Sequence, residues 1–223
     1  MIPGGSVAGS GAESATVPPV RRRRRNGEIR REAILDAALE VFSTLGLHGA
    51  SIDQISERAG LSKTNLLYYF PSKEDLYVAV LRRVLEVWLD PLQMLSAESE
   101  PADALRHYIR RKVSLSRDAP QASRLFCLEI VQGAPLLRAE LEGSLRDLVE
   151  AKAAILRSWI AAGRIGAHDP HHLIFSIWAI TQHYADFAVQ VEAVTGRNLQ
   201  DPAFFEATVE ATQKLILASV GLA

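Results

Sequence analysis

The stretch Ser51–Phe70, SIDQISERAGLSKTNLLYYF, decides the fold because it predicts two short helices joined by a tight turn. Ser51 and Gln54 form a capping-box pair, in which each side chain satisfies a free backbone N–H at the start of the first helix. Gly60 can adopt the left-handed conformation that ends this helix. Ser62 then caps the second helix. The pattern predicts a helix-turn-helix, although ordinary helical hairpins use the same turn.

The second of these helices has its polar residues in its first turn, where a recognition helix meets base edges in the major groove of DNA. We expect Lys63, Thr64 and Asn65 to read bases, because an asparagine amide can pair in two ways with adenine. Further polar side chains of the motif are expected to bind phosphate or sugar. The residues predicted at the DNA interface here are Ser51, Ser62, Lys63, Thr64, Asn65, Tyr68, Tyr69 and Lys73.

Composition narrows the class of protein. A hydrophobic content of 48% and a charged content of 23% are typical of a soluble globular protein. We find no apolar run of membrane-spanning length and no secretory signal, so no membrane partner is expected. Cys127 is the single cysteine, which excludes an internal disulfide and favours a cytoplasmic location.

Charge is distributed unevenly along the chain. Residues 1–31 hold seven Arg and two Glu, a net charge of +5, so the remainder carries −6. We expect residues 1–27 to be a disordered basic arm that binds DNA phosphates through counterion release. The alternative is a solvated charge run that only adds solubility. The arginines of this arm are Arg21, Arg22, Arg23, Arg24 and Arg25.

Hydrophobic periodicity and helix breakers predict an all-α chain, with a three-helix head joined by a long fourth helix to a larger helical body. The first helix is predicted over residues 28–45, and the fourth is expected to stop or kink at Pro91. Later helices are predicted over residues 101–117, 120–132, 136–162, 170–194 and 202–220. We assign residues 28–72 to a DNA-binding domain and 73–223 to a ligand-binding and dimerisation domain.

Residues 37–76, AALEVFSTLGLHGASIDQISERAGLSKTNLLYYFPSKEDL, resemble the DNA-binding head of the tetracycline-repressor (TetR) family. Segments 120–130, 133–137 and 172–196 are similar to uracil-responsive members of that family, which regulate pyrimidine degradation. This resemblance implies a homodimeric repressor of pyrimidine utilisation that binds double-stranded operator DNA. It also implies release by uracil or a related pyrimidine, with no cofactor and no enzymatic activity.

The predicted helix 170–194 contains the best candidates for binding a flat heterocycle. Trp178 can stack on a ring, and Gln182, one turn later, can both donate to and accept from an amide edge. From the residues alone, core packing of this helix is the better interpretation, and the resemblance reverses that preference. The predicted ligand-binding residues are Trp178, Gln182, Trp88, Tyr77, Phe126 and Ala185.

Other functions stay open at this point. The chain could answer to a different small molecule, or it could be an architectural DNA-binding protein without an effector. The large helical body favours a regulator. His168 and His172 have a spacing that can chelate a metal, but a helix capped by Asp169 and opened by Pro170 explains them better. We expect no metal site and no catalytic residue.

Overall fold

A computed structural model describes the backbone of residues 19–222 and the side chains of residues 25–222. Regular structure in this part of the chain is entirely helical, as predicted. None of its helices combines the length and apolar character needed to cross a membrane. The helices are α1 (Pro19–Gly49), α2 (Ile52–Arg58), α3 (Lys63–Tyr69), α4 (Lys73–Gln93), α5 (Pro101–Asp118), α6 (Pro120–Val131), α7 (Arg138–Glu140), α8 (Arg146–Ala161), α9 (Pro170–Asp186), α10 (Ala188–Thr195) and α11 (Pro202–Ser219), with a π-helical turn at Leu141–Leu145 between α7 and α8.

The first helix is longer than predicted. Because α1 begins at Pro19, the run from Arg21 to Arg25 has a helical backbone, which corrects the prediction of disorder for residues 19–27. Arginine is a strong helix former, so the run continues the helix toward the N-terminus. The prediction of disorder for residues 1–18 lies outside the described residues. The predicted break at Gly46 is confirmed by its φ of 66° and ψ of 178°, a conformation that glycine adopts at little cost.

The helix-turn-helix has the predicted caps. Ser51 Oγ accepts a hydrogen bond from the Gln54 backbone N–H at 3.2 Å, and Gln54 Oε1 accepts one from the Ser51 backbone N–H at 2.9 Å. Gly60 takes a φ of 66° at the turn. Ser62 Oγ accepts from the backbone N–H of Asn65 at 3.2 Å. Both serines therefore hold the geometry of the motif.

Two predicted helices are each divided. The segment 136–162 is interrupted because Gly143 leaves the helical region, with φ −101° and ψ −106°. The segment 170–194 is divided at Phe187, whose φ of −114° and ψ of 30° separate α9 from α10. Neither break occurs at a proline. Hydrophobic periodicity did not predict either of them.

The start of α9 agrees with the prediction. Asp169 Oδ1 accepts from the backbone N–H groups of His171 and His172 at 2.9 and 3.0 Å, and Pro170 is the first helical residue. The ring of His171 also contacts the Glu150 carboxylate, with 2.7 Å between Nε2 and Oε1. Helix capping and a contact with α8 therefore explain this polar cluster.

Two hydrophobic clusters form the core of the described chain. The head cluster joins α1–α4 with α6, and in it the rings of Phe42 and Tyr77 meet edge to face with centroids 5.0 Å apart. The body cluster joins α5, α8, α9 and α11 around Trp159. Helix α4 belongs to both, since Trp88 packs in the head cluster and Leu92 in the body cluster. Helix α4 therefore links the packing of the head to that of the body.

Candidate functional site

The outer face of α3 presents a row of polar side chains. Lys63, Thr64 and Asn65 are exposed, and Tyr68 is 84% exposed. Leu66 is fully buried in the head cluster, and this anchor turns the opposite face of the helix outward. A short helix anchored on one side and polar on the other has the geometry that reads the major groove.

Two basic side chains of the motif already have carboxylate partners. Lys63 Nζ lies 3.0 Å from Asp53 Oδ2 on α2, and Arg58 pairs with Glu40 of α1. Lys73 donates from its ammonium group to the Ala50 carbonyl at 2.9 Å. This hydrogen bond ties the start of α4 to the residue before the motif, so Lys73 has a structural role beside the predicted phosphate contact.

Arg30 of α1 lies next to the recognition helix and was not among the predicted contacts. It lines a shallow depression together with Leu61, Asn65, Tyr68 and Tyr69. The two tyrosine rings meet edge to face, with centroids 5.5 Å apart. The extension of the arginine run to residues 30 and 31 was the available sequence signal. Arg25 is exposed, while the side chains of Arg21 to Arg24 lie outside the described residues.

A second candidate site is a cavity where the head and body clusters meet. The depression has a cavity volume of about 30 Å³, or about 340 Å³ when its open mouth is included. The inner space admits about one or two water molecules. The effector cavity, as we name it, is lined by Leu85, Trp88, Leu89, Lys112, Phe126, Leu145, Trp178 and Gln182.

Four of the six predicted ligand-binding residues line the effector cavity together: Trp88, Phe126, Trp178 and Gln182. Two residues do not. Tyr77 lies in the head cluster, where burial and the neighbouring Glu129 carboxylate raise the pKa of its phenol. Ala185 is fully buried within the subunit. The fold therefore places Tyr77 and Ala185 away from the space that a ligand would occupy.

The two indole groups of the effector cavity differ in their hydrogen bonding. Trp178 Nε1 donates to the Tyr108 phenol oxygen at 2.6 Å. Trp88 Nε1 is buried and has no hydrogen-bond partner in the described chain. A buried donor without a partner costs about 1–3 kcal/mol.

Lys112 is a cavity residue that sequence reasoning missed. It is 2% exposed, and its ammonium lies 4.0 Å from the centroid of the Trp88 ring. Burial lowers the pKa of Lys112 to about 7, against the opposing charge of Asp186. Burial raises the pKa of Asp186, whose carboxylate accepts a hydrogen bond from Ser123. The sequence signal that could have identified Lys112 was its position one turn after Tyr108, within the apolar stripe of α5.

Both the head and the body of this chain match families of known proteins. Residues 34–80 match the family described as bacterial regulatory proteins, tetR family, and residues 81–223 match the C-terminal region of YcdC-like protein. The HTH-type transcriptional regulator RutR of Escherichia coli K12 is 54% identical over 199 residues, which is 89% of this chain and 94% of that protein. The HTH-type transcriptional repressor NicS of Pseudomonas putida is 31% identical over 144 residues, 64% of this chain and 66% of that protein.

Solved structures share the same architecture. SCO4942 from Streptomyces coelicolor superposes with a TM-score of 0.65 at 26% identity, covering 86% of this chain and 99% of that one. A TetR-like regulator from Rhodococcus gives a TM-score of 0.63 at 21% identity, over 85% and 94% of the two chains. With an exposed recognition helix and matches that run from head to body, this chain belongs to the TetR family of DNA-binding transcriptional regulators.

Proposed function

We propose that this regulator is a homodimeric repressor of pyrimidine utilisation and that uracil or a close pyrimidine releases it from operator DNA. The observation that carries the proposal is the position and lining of the effector cavity. Aromatic rings, an amide and a buried ammonium converge there, at the junction of the head and body clusters. A small ligand at this junction can act on the head through α4.

The chemistry of the cavity suits a flat ring with alternating carbonyl and N–H groups. Trp178 offers a face for stacking. Gln182 can accept from a ring N–H and donate to a carbonyl with one amide. The free Trp88 N–H and the Lys112 ammonium are donors, which suit the carbonyl oxygens of a pyrimidinedione. Uracil brings two carbonyls and two N–H groups, so each of these side chains has a group to bind.

Release from DNA follows from the limited space in the cavity. Uracil, with eight heavy atoms, needs more room than one or two water molecules, so we expect its binding to displace a wall of the cavity. Leu85, Trp88 and Leu89 form the α4 wall, and α4 follows directly after the recognition helix. A shift of α4 therefore changes the position of α3, and a coupling of about 1–3 kcal/mol is enough for a switch.

The dimer interface is proposed at α9 and α11. Phe175 is 49% exposed and Leu215 is 58% exposed, which leaves apolar surface for a second subunit. Ile177, Val209 and Ile216 of the same two helices are buried inside the subunit and are not available to a partner. A two-fold dimer would present two recognition helices to half-sites about 34 Å apart.

The proposal is tested by titrating uracil against the full-length protein, first in calorimetry and then in fluorescence anisotropy with a labelled duplex. The duplex is selected by the protein itself from a random pool. We expect one uracil per subunit and a loss of DNA affinity of about 5- to 150-fold at saturation. Cytosine serves as the matched control because it has the same ring with one carbonyl replaced by an amine.

Three results would contradict parts of the proposal. Absence of uracil binding would exclude this effector and leave a regulator that answers to another molecule. Uracil binding without loss of DNA affinity would exclude the switch. A monomer in light scattering at micromolar concentration would exclude the dimer.

A further inference from the structure

Lys112 is a basic side chain that the fold buries almost completely. Among the residues that line the effector cavity, it is the single one with a charge. Its ammonium lies over the ring of Trp88, which forms another part of the cavity wall. Contact with an aromatic face recovers only a small part of the hydration that a buried ammonium loses. The Trp88 ring alone therefore does not compensate for the burial of this charge.

The acidic side chain that attracts Lys112, Asp186 of α9, makes its hydrogen bond elsewhere. Its carboxylate accepts from the hydroxyl of Ser123 on α6, and the thiol of Cys127 lies beside it on the same helix. The charge of Arg124, also on α6, acts on Asp186 as well. Asp186 acts on Lys112 through its charge, and among the described residues Lys112 has neither a hydrogen bond nor an ion pair within 4.0 Å. The ammonium therefore has no direct anionic partner in this part of the chain.

A buried cation in this condition favours the binding of an anion. An uncompensated buried charge is strongly destabilising, and an ion pair with good geometry removes that cost. Burial lowers the pKa of Lys112 to about 7, as expected for an ammonium that leaves water without gaining a partner. A hydrogen bond from an ammonium to an anion is also stronger than one to a neutral carbonyl. A ligand that carries negative charge therefore gains more from Lys112 than a neutral one.

The remaining lining limits which anions suit the cavity. Apart from Lys112 and Gln182, the lining side chains are aliphatic or aromatic, with Phe126 and Trp178 among them. A compact, strongly hydrated anion would lose its water there without a stacking surface in return. A flat ring spreads its charge over nitrogen and carbonyl oxygens and can still stack. Cyclic imides meet both requirements, because the N–H beside their carbonyl groups is a weak acid and the resulting anion is flat.

We propose that the effector is bound as its anion, an imide ring that has lost its N–H proton and pairs with the ammonium of Lys112. This assignment rests on the proposed function, because it concerns the charge of a ligand in the same cavity. If the lysine is neutral, the proton moves from the ring nitrogen to Lys112 Nζ. If the lysine is already protonated, the ring proton goes to solvent. The result in both cases is a ring anion beside an ammonium, so affinity among pyrimidinediones should follow the acidity of the N–H.

Calorimetry at pH 7 with uracil, 5-fluorouracil and 6-azauracil tests this order. The three rings are nearly equal in size, and their N–H acidity rises from uracil to 5-fluorouracil to 6-azauracil, in which a nitrogen replaces one C–H. We expect 6-azauracil to bind about tenfold or more tightly than uracil, with 5-fluorouracil between them, because a nearby opposite charge favours an ionised group by at least this factor. Lys112→Met should bind the three rings about equally. The matched control Lys214→Met, at an exposed position on α11, should keep the wild-type order.

Each outcome bears on a different part of the assignment. Equal affinity of wild type for the three rings would overturn the anion and leave uracil as a neutral effector. The wild-type order retained in Lys112→Met would overturn the role of Lys112. If Lys112→Met binds none of the rings, the order in wild type decides: one that follows acidity supports the anion, and any other overturns it. Absence of binding by wild type to all three rings would overturn the proposed function itself. Circular dichroism verifies that each variant is folded.

Discussion

The indole Nε1 of Trp178 donates to the phenol oxygen of Tyr108 across 2.6 Å, and this hydrogen bond joins α9 to α5 behind the wall of the effector cavity. Tyr108 is 1% exposed, and burial raises the pKa of its phenol, so the group stays protonated at physiological pH. The bond fixes the plane of the Trp178 ring. The stacking surface proposed for the ligand is therefore set in place before the ligand arrives.

Replacing Tyr108 with Phe tests this pre-organisation. The change leaves the buried Trp178 N–H without its partner, so we expect the free energy of unfolding to fall by about 1–3 kcal/mol. Uracil affinity should also fall several-fold, because the indole can rotate. Urea unfolding and calorimetry measure the two effects. Full affinity in a destabilised variant would show that the bond supports only the fold.

Gln182→Ala tests the hydrogen bonds proposed for the ligand edge. Removal of the amide leaves polar groups of uracil unpaired, so affinity should fall by about 1–3 kcal/mol while the unliganded protein still binds DNA. Gln190→Ala on α10, where the side chain is exposed, is the matched control. If Gln182→Ala and Gln190→Ala bound uracil equally well in calorimetry, the amide would have no part in recognition.

Asn65→Ala tests base reading by α3. Because the side chain is exposed in the first turn of the recognition helix, its loss should cost about 1–3 kcal/mol of operator affinity and relax sequence preference at one position. Selection from a random duplex pool, with wild type beside the variant, measures both changes. Identical selected sequences and equal affinity would remove Asn65 from the reading surface.

The arginine run is tested by changing Arg21 to Arg25 into Gln, which keeps good helix formers where α1 has a helical backbone. We expect weaker binding to all duplexes alike. The slope of log affinity against log salt should flatten by about 0.9 for each phosphate that the variant no longer neutralises. Anisotropy titrations between low and physiological salt give the slope, and an unchanged slope would mean that the run does not bind DNA.

Lys112 predicts a pH dependence of stability. Its pKa falls from 10.5 in the unfolded chain to about 7 in the fold, so the unfolded chain binds more protons between these values. The free energy of unfolding should therefore rise with pH across that window, by at most about 1.4 kcal/mol per pH unit from this group. Below pH 7 the contribution is flat, because both states are protonated.

Lys112→Met should remove this rise. Urea unfolding at pH 7 and pH 8 stays below the range in which the buried tyrosines titrate, and at pH 8 the thiol of Cys127, whose pKa is about 8.5 in an unfolded chain, is still mostly protonated. Lys214→Met, where the lysine is exposed on α11, is the control and should keep the wild-type pH slope. The same slope in Lys112→Met as in wild type would mean that Lys112 keeps its charge when buried.

Local rules explain which features could be predicted from the sequence. The caps at Ser51 and Asp169 depend on residues two to four positions away, so their spacing in the chain was sufficient. The head was also predictable because its apolar positions keep a helical period. The breaks at Gly143 and Phe187 lack a proline that would mark them in the sequence. A glycine inside a helical pattern costs only about 1 kcal/mol, and tertiary contacts decide whether it breaks the helix.

The same contrast between neighbouring and distant residues applies to the two candidate sites. Trp178 and Gln182 were predictable as neighbours because one helix carries both. Lys112 and Arg30 reach their sites from α5 and α1, and no spacing in the chain reveals such a meeting. Tyr77 was placed among the ligand residues because it shares α4 with Trp88, but of the two only Trp88 lines the effector cavity. Residues on one helix could therefore be identified as neighbours from the sequence, whereas the part of the fold that each side chain contacts could not.

The pairing of Lys63 with Asp53 and of Arg58 with Glu40 has a consequence for how such a regulator can change over generations. Of the three residues that we expect to read bases, Thr64 and Asn65 are uncharged and Lys63 is paired, so this prediction puts preference for one sequence and attraction to DNA in general in different parts of the chain. A few substitutions on α3 could then change which DNA sequence the protein prefers, and with it the genes it regulates, without loss of its general affinity for DNA. Regulatory circuits can be rewired through that one short helix.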